Sequence, residues 1–321
     1  MGEGLRMQDV IIIGGGAAGL TAAIYAVRAG MDVFVLEKMG VGGQIILTDT
    51  VENYPGFSHI SGPDLMDKFE EHVKKFGVEI RYEEVKKIKT NARTEKTTEK
   101  TTHTVVTEEG DYETIAVIVA TGSQPRKLRV PGEDKFIGRG VSYCAVCDGP
   151  FFKDKEVAVI GGGDAAIKES IYLTQIVKKV TVVHRRDQLR AEKILQDQAF
   201  DNPKMDFIWD HMVESVDGGD SFEGITVQNV QNPQAKMRMS VDGVFVYIGH
   251  IPNTKFIDGE KTTAGTLLTN PCTLETSIRG IFAAGDCRDT CLRQIATCVG
   301  DGALAAFNAG EYVEKYKSGH L

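Results

Sequence analysis

Apolar positions along this chain fall into two patterns that alternate, short unbroken runs and longer alanine-rich stretches. "DVIII" (Asp9–Ile13) is a run of the first kind, expected of a strand buried on both faces of a parallel sheet. Gly14-Gly15-Gly16-Ala17-Ala18-Gly19 then turns into a predicted helix from Leu20 to Arg28, which Gly30 ends, and "DVFVLE" (Asp32–Glu37) predicts the next strand. Strand, glycine turn, helix and strand within about thirty residues form the opening unit of a dinucleotide fold.

The pattern returns later in the chain. "EVAVI" (Glu156–Ile160) predicts a strand, Gly161-Gly162-Gly163-Asp164-Ala165-Ala166 a turn into a helix reaching about Val177, and "VTVVH" (Val180–His184) the second strand. Glu37 follows Gly14 at the same spacing as His184 follows Gly161, so an internal duplication is expected. Each copy leads into antiparallel hairpins. Lys86 to Glu113 is rich in Thr, Lys and Glu, and its tract from Thr90 to Thr102 reads as a solvated hairpin edge, because β-branched Thr suits a strand. The second meander is expected near Val213 to Tyr247, turning at Asp217-Gly218-Gly219. "AVIVATG" (Ala116–Gly122) and "GVFVYIGHIPNT" (Gly243–Thr254) are apolar strands that run into glycine and then a proline-containing segment, the expected crossings between domains. A last strand, "GIFAAGD" (Gly280–Asp286), precedes a helix starting near Gln294.

Composition narrows the function classes. The 321 residues suit two domains, and 42% hydrophobic with 26% charged residues is ordinary for a globular protein. A net charge of −8 without a basic block gives no electrostatic support for nucleic-acid or anionic-membrane partners. No signal-peptide pattern precedes the first strand and no apolar run is long enough to span a membrane, so a cytoplasmic location is expected. Six cysteines are too few for a secreted disulfide scaffold, and in a reducing compartment a close pair points to catalysis or metal binding.

The chemistry concentrates at four places. In the first turn Gly14, Gly16, Ala17, Ala18 and Gly19 permit close approach of a pyrophosphate to a helix N-terminus, and Glu37 accepts hydrogen bonds from an unphosphorylated ribose, which suits FAD. In the second, Gly161, Gly163, Asp164, Ala165 and Ala166 open the helix, but His184, Arg185, Arg186 and Arg190 stand where the acid would be. Guanidinium groups bind a 2′-phosphate that a carboxylate repels, which suits NADPH over NADH. Asp286, after a small-residue strand, can hydrogen-bond a polyol chain. The fourth place is Cys144-Ala145-Val146-Cys147-Asp148. Spacing alone leaves three readings of that pair: half of a zinc site, an inert core pair, or a thiol–disulfide relay with Asp148 moving the proton. No second CxxC or paired histidine supplies the remaining zinc ligands, and the position just ahead of the second nucleotide unit favours the relay.

Nearly the whole chain resembles the low-molecular-weight thioredoxin reductases, flavoproteins of the pyridine nucleotide-disulfide oxidoreductase class. The resemblance is carried by "GGGAAG" (14–19), "GGQ" (42–44), "VENYPGF" (51–57), "VATGSQPR" (119–126), "CAVCDG" (144–149), "GGGDAA" (161–166), "HRRDQLRAEKIL" (184–195), "GHIPNT" (249–254), "GIFAAGD" (280–286) and "LRQ" (292–294). It implies an α/β fold of two Rossmann-like, three-layer ββα domains. The FAD domain is expected from residues 1–121 and 250–321, with an NADPH domain of 122–249 inserted and the crossings near 120–126 and 248–254 serving as hinges. It also adds Lys38, Gly42, Gly43, Gln44, Asn53, Thr121, Gly122, Arg293, Gln294 and Ile295 to the expected FAD contacts. The implied activity passes electrons from NADPH to FAD, to the Cys144–Cys147 disulfide and on to thioredoxin, in a homodimer without metal. Cys147 is then the flavin-proximal thiol, Cys144 the thiol that attacks thioredoxin, and Asp148 the general acid/base.

The chain also departs from the family pattern. Asp164 and Lys168 stand where an amide or hydroxyl residue and an acid are frequent, and Cys287, Cys291 and Cys298 occupy positions usually filled by small residues. Packing is the expected role of these cysteines, with a second redox pair, Cys287 with Cys291, as the alternative. Other functional readings keep the flavin and change the partner or electron donor, as in a reductase of another protein disulfide or a dithiol oxidase. A further one is a zinc-binding or redox-sensing module without a flavin.

Overall fold

The computed structural model describes residues 7–48, 50–95 and 98–320, with backbone alone at 92–95 and 98–99. It divides into two compact units, Met1–Gln124 with Ile251–Leu321, and Pro125–His250.

The first unit opens with β1 (Gln8–Ile13), α1 (Ala17–Arg28), β2 (Val33–Glu37), α2 (Gly62–Lys75), β3 (Glu79–Tyr82), β4 (Lys87–Glu95), β5 (Thr98–Val106) and β6 (Asp111–Val119). Strands β3, β2, β1 and β6 are parallel neighbours in that order, and β5 and β4 extend the sheet antiparallel. The unbroken apolar run of β1 follows from burial on two sides. Val10 and Ile12 pack with the alanines of α1, whereas Ile11 and Ile13 pack with Phe34, Leu36, Val117 and Val119. Helix α1 starts at Ala17, three residues before the position expected, because helical geometry begins directly at the glycine turn. Helix α2 went unanticipated, although Ser61-Gly62-Pro63-Asp64 signals it. Ser61 Oγ accepts the Asp64 N–H at 3.0 Å, and a proline sits in the first turn. The Thr-rich tract is antiparallel β4 and β5, with Thr90 opposite His103; positions 96 and 97 lie outside the described residues, as do residues 1–6.

After β7 (Ser123–Pro125) the second unit comprises α3 (Glu133–Phe136), β8 (Val141–Ser142), α4 (Ala145–Asp148), β9 (Glu156–Ile160), α5 (Asp164–Leu173), β10 (Lys179–Val183), α6 (Lys193–Phe200), β11 (Met205–Ile208), β12 (His211–Gly218), β13 (Phe222–Asn229), β14 (Lys236–Met239) and β15 (Gly243–Val246). Its parallel sheet runs β11–β10–β9–β15–β8, with β12, β13 and β14 as a separate antiparallel sheet. The meander thus stops at Met239, short of the expected Tyr247. The last apolar run, β15, pairs parallel with β9 because all four of its residues are buried, which a half-solvated hairpin strand would not be. Helix α5 also ends early, at Leu173 instead of near Val177, in a turn that folds Ile176 and Val177 back on Leu173.

The chain returns through β16 (His250–Pro252) and completes the first unit with β17 (Ile281–Ala283), parallel to β6, and α7 (Ile295–Ser318). Gly302 brings α7 against α1. A Cβ there would lie 2.2 Å from the Ala18 carbonyl oxygen, so glycine is what permits the contact. Among the described residues no helix is long and apolar enough to cross a membrane.

Candidate functional site

The two glycine turns have one geometry. Gly14 has φ +111°, and a Cβ on it would sit 2.4 Å from the Ala120 carbonyl oxygen; Gly161 has φ +147°, with Tyr247 O at the same 2.4 Å. Gly14 N donates to Leu36 O and Gly161 N to Val183 O. At the next position a Cβ on Gly15 would touch the Glu37 side chain, and one on Gly162 the His184 ring. Gly16 and Gly163 are the N-caps of α1 and α5, no side chain caps either helix, and neither glycine has protein within 4 Å of an added Cβ. Both helices therefore present backbone donors to open space, the cradle a pyrophosphate requires. The last turn position differs. Gly19 has Gly14 O where a Cβ would be, while the second copy holds buried Ala166 there.

In the first unit Glu37 Oε2 accepts the Gly15 N–H at 2.7 Å and Oε1 the Met39 N–H at 3.0 Å, so both carboxylate oxygens are held at the turn with lone pairs to spare for ribose hydroxyls. The Gly42–Gln44 loop reaches the same turn, Gly42 N donating to Gly15 O and Gly43 lying near Gly16. Asn53 Nδ2 donates to Gln294 Oε1 at 3.0 Å, which joins two expected contacts from opposite ends of the chain. Thr121 Oγ1 donates to Asn253 O, and Gly122 O accepts Asn253 N. Asp286 follows β17. Burial raises its pKa, with the Arg293 charge and the Cys298 thiol opposing. Arg293 Nε is buried without a hydrogen-bond partner among the described residues, a donor suited to an anionic or carbonyl-rich ligand. Ile295 begins α7, which Gln294 caps. Lys38 is directed elsewhere, 3.7 Å from Glu84 at the surface. These residues fit an FAD.

In the second unit Arg185, Arg186 and Arg190 are exposed, and among the described residues none of them forms an ion pair. Arg190 N donates to Gly162 O at 2.7 Å, which ties the basic segment to the turn. His184 is 3% exposed and its Nε2 has no partner among the described residues. Burial, then the charges of Arg190, Arg186 and Arg185, lower its pKa. Three unpaired guanidinium groups beside a glycine turn fit a phosphorylated ribose. Asp164 Oδ1 accepts the Glu192 N–H at 2.7 Å; Ala165 and Lys168 are exposed on the first turns of α5.

Cys144 and Cys147 form a disulfide across the single turn of α4, Cα atoms 5.3 Å apart. Cys147 N–H donates to Cys144 Sγ at 3.2 Å. Ser142 accepts the Cys144 N–H at 3.1 Å and donates to Asp148 Oδ2 at 2.6 Å, so one hydroxyl joins the backbone of the first cysteine to the neighbouring acid. Tyr247 oxygen accepts the Ala145 N–H at 2.5 Å. Ser142 and Tyr247 were not singled out in the sequence; the available signal for Tyr247 was its place at a strand end equivalent to Ala120.

The remaining cysteines are free. Cys287 is fully buried, its thiol donating to Val119 and Ala284 carbonyls, and burial pushes its pKa up to about 11, whereas Cys291 is exposed. The alternative Cys287–Cys291 pair therefore does not form here, since the thiol is turned into the sheet. Cys298 donates to Asp286 Oδ1 and burial also raises its pKa; Cys272 is exposed. Among the described residues no group of three or more His, Cys, Asp or Glu is arranged to hold a metal ion.

The family described as pyridine nucleotide-disulphide oxidoreductase matches residues 8–302. The chain is 47% identical over 315 residues to thioredoxin reductase of Listeria monocytogenes, covering 97% of this chain and 96% of that one. It is 46% identical to the enzyme of Bacillus subtilis, with the same coverage. The crystal structure of thioredoxin reductase from Streptococcus pyogenes aligns with a TM-score of 0.87 and 47% identity over 97% of this chain and 99% of that one. The chain belongs to the pyridine nucleotide-disulphide oxidoreductase family, among its thioredoxin reductases.

Proposed function

We propose that this protein is an NADPH-dependent thioredoxin-disulfide reductase, with FAD held by the first unit and NADPH by the second. The observation that carries the reading is the joint presence of a disulfide turn with an adjacent, oriented acid and two duplicated nucleotide cradles of opposite charge. When bound, NADPH supplies a hydride and FAD relays its two electrons to a disulfide.

The residues of the chain have separate tasks. The open N-termini of α1 and α5 receive pyrophosphates, Glu37 selects an unphosphorylated ribose, and Arg185, Arg186 and Arg190 select a 2′-phosphate. Asp286 and Arg293 hold the polar part of the flavin, with Gln294 and Asn53 beside it. Ser142 keeps Asp148 next to the disulfide, so Asp148 delivers the proton that a leaving thiolate needs and takes it back when thioredoxin is reduced. Cys147 accepts electrons and Cys144 attacks the disulfide of thioredoxin. The domain boundaries at 121/122 and 249/250 and the assembly as a homodimer in the cytoplasm belong to this proposal.

Anaerobic titration of the FAD-loaded chain tests it. NADPH should bleach the flavin band and NADH should do so only at far higher concentration, and thioredoxin disulfide should restore the colour. No bleaching by NADPH would overturn the donor; bleaching without reoxidation by thioredoxin would overturn the partner. Cys147→Ser should keep the first step and abolish the second.

A further inference from the structure

The redox turn is entered from a residue whose anchor has no part in that scheme. Tyr143, between β8 and α4, directly precedes Cys144, and its phenol donates to Glu133 Oε1 at 2.7 Å. Glu133 opens α3 and is 1% exposed, so its carboxylate has left water almost completely. Its other donors are backbone amides of the segment that leads the chain into the second unit. Leu128 N–H meets Oε1 and Arg129 N–H meets Oε2, each at 2.7 Å. Arg129 has φ +61°, a left-handed conformation that a residue other than glycine keeps only where its surroundings hold it. Leu128, Val130 and Tyr143 pack on one core with Phe136, Val141 and Val216.

We propose that Glu133 is a positioning residue for thioredoxin reduction: it fixes Tyr143 against the Leu128–Arg129 segment and so holds the backbone of Cys144, the attacking thiol, in place. The inference deepens the reductase reading and rests on it for the partner. A buried carboxylate is retained only where donors satisfy it, and bonds to a charged acceptor are the strong ones. Burial, then the bond to Glu133, raises the Tyr143 pKa, which keeps the phenol a donor. Three successive residues are thus tied: Tyr143 to Glu133, Cys144 N–H to Ser142 Oγ and Ala145 N–H to the Tyr247 oxygen. Of these anchors only Glu133 also holds the entry segment.

What the anchor serves is a sulfur. Cys147 N–H lies 3.2 Å from Cys144 Sγ, and on reduction this donor faces a thiolate whose formation it favours. With Tyr143 released, the Cys144 backbone is free to turn and the donor no longer meets the sulfur. In the reaction the Cys144 thiolate forms a mixed disulfide with one sulfur of thioredoxin and displaces the other as thiolate. The Cys147 thiolate then attacks the Cys144 sulfur, which releases the first thioredoxin sulfur and re-forms the internal disulfide. Two electrons leave the pair, and the protons its thiols gave up end on the thioredoxin dithiol. Glu133 takes part in neither bond.

The test compares the wild type with Glu133→Gln and with Tyr143→Phe, which loses one hydroxyl and leaves Glu133 bonded to both amides. In the full chain reduced with dithiothreitol, alkylation of Cys144 by iodoacetamide near pH 7 is followed by mass spectrometry, with the exposed Cys272 and Cys291 as references. Tyr143→Phe should slow Cys144 roughly twofold to tenfold and leave the references alone, since one hydrogen bond to the sulfur is lost. In the FAD-loaded chain the same variant should be bleached by NADPH at the wild-type rate. Its reoxidation at saturating thioredoxin should slow by a similar factor, with half-saturation unchanged. A role confined to the entry segment would move neither rate. Limited trypsin cleavage after Lys127 and Arg129 reads that segment: Glu133→Gln should open it and Tyr143→Phe should not. Adding Tyr143→Phe to Glu133→Gln should slow Cys144 no further. Wild-type alkylation in Tyr143→Phe, or a second slowing in the double variant, overturns the proposal. A chain that thioredoxin does not reoxidise defeats the reductase reading, and the alkylation rates still decide this one.

Discussion

His103 makes the first unit sensitive to acid, and the size of the effect follows from its burial. The residue is fully buried on β5, opposite Thr114 of β6 and Thr90 of β4, whose Oγ1 is 3.4 Å from Nδ1. Gly280, at the start of the segment that becomes β17, has φ +77° and approaches the ring so closely that a Cβ would lie 2.9 Å from Nε2. Burial moves the pKa from 6.5 down to about 4, with a hydrogen bond to the Arg279 backbone opposing. The folded form therefore keeps the ring neutral over a range where the unfolded chain protonates it. Its stability is present above about pH 6.5 and is lost as pH falls towards 4. With those two values the linkage relation gives a loss of about 2 kcal/mol between pH 7.5 and 5, approaching about 3 kcal/mol near pH 4. Burial raises the pKa values of Asp286 and Asp301, a shift that favours the folded form as pH falls and so opposes the loss from His103. Urea unfolding of the wild type and of His103→Gln, followed by circular dichroism near pH 7.5 and near pH 5, separates the contributions. The variant should be less stable at the higher pH and should lose about 2 kcal/mol less on acidification. Equal losses in the two proteins would refute the reasoning, since the titrating group would then lie elsewhere.

Other outcomes follow from the same geometry. Arg185→Ala or Arg186→Ala should remove a charge-assisted contact of about 1.5–3 kcal/mol, raising KM for NADPH roughly tenfold or more while that for NADH stays near its starting value. Gly162→Ala places a methyl 2.5 Å from the His184 ring, and should lower the thermal stability of the second unit by about 1–3 kcal/mol and weaken NADPH binding without loss of FAD. The Asp9–Lys317 pair tests how charge and burial divide: the exposed Lys317→Ala should cost at most about 1 kcal/mol, whereas Asp9→Ala should cost about 1–3 kcal/mol because Asp32 N–H loses its acceptor.

Where a residue's role depended on backbone geometry, the sequence announced it. Gly14 and Gly161 are readable as glycines because a tight turn between strand and helix leaves no room for a Cβ, and the acid or the base at the next strand's end follows from the same unit. The disulfide turn was legible as a pair, but its spacing alone did not choose between metal and redox use. Contacts that depend on which strand lies beside which were not legible. Nothing in the apolar pattern of β15 distinguishes a hairpin strand from a buried parallel one, and the pairing of β17 with β6 joins residues more than half the chain apart. Tyr247 escaped for that reason: a strand end carries no local signal that it lies against Ala145.

The duplicated turns also indicate where chemistry was free to change. In both copies the first glycine is held by a carbonyl 2.4 Å from its absent Cβ, and the third faces open space. Neither position tolerates a side chain without loss of the turn or of the cradle. The strand-end side chain that presses on the second glycine is under no such restriction, and there the copies diverge, a carboxylate bonded to Gly15 N in one and an imidazole lying against Gly162 in the other. The carbonyl that clasps the first glycine belongs to Ala120 in one copy and to Tyr247 in the other. Both residues donate their N–H to the preceding strand at 2.8 Å, at Ile13 and Ile160 respectively. Because the backbone at this position is fixed by the turn, its side chain can vary without disturbing the nucleotide cradle. In the second copy that freedom carries a phenol to the first residue of the redox turn, so the same strand end that closes one nucleotide site also anchors the disulfide.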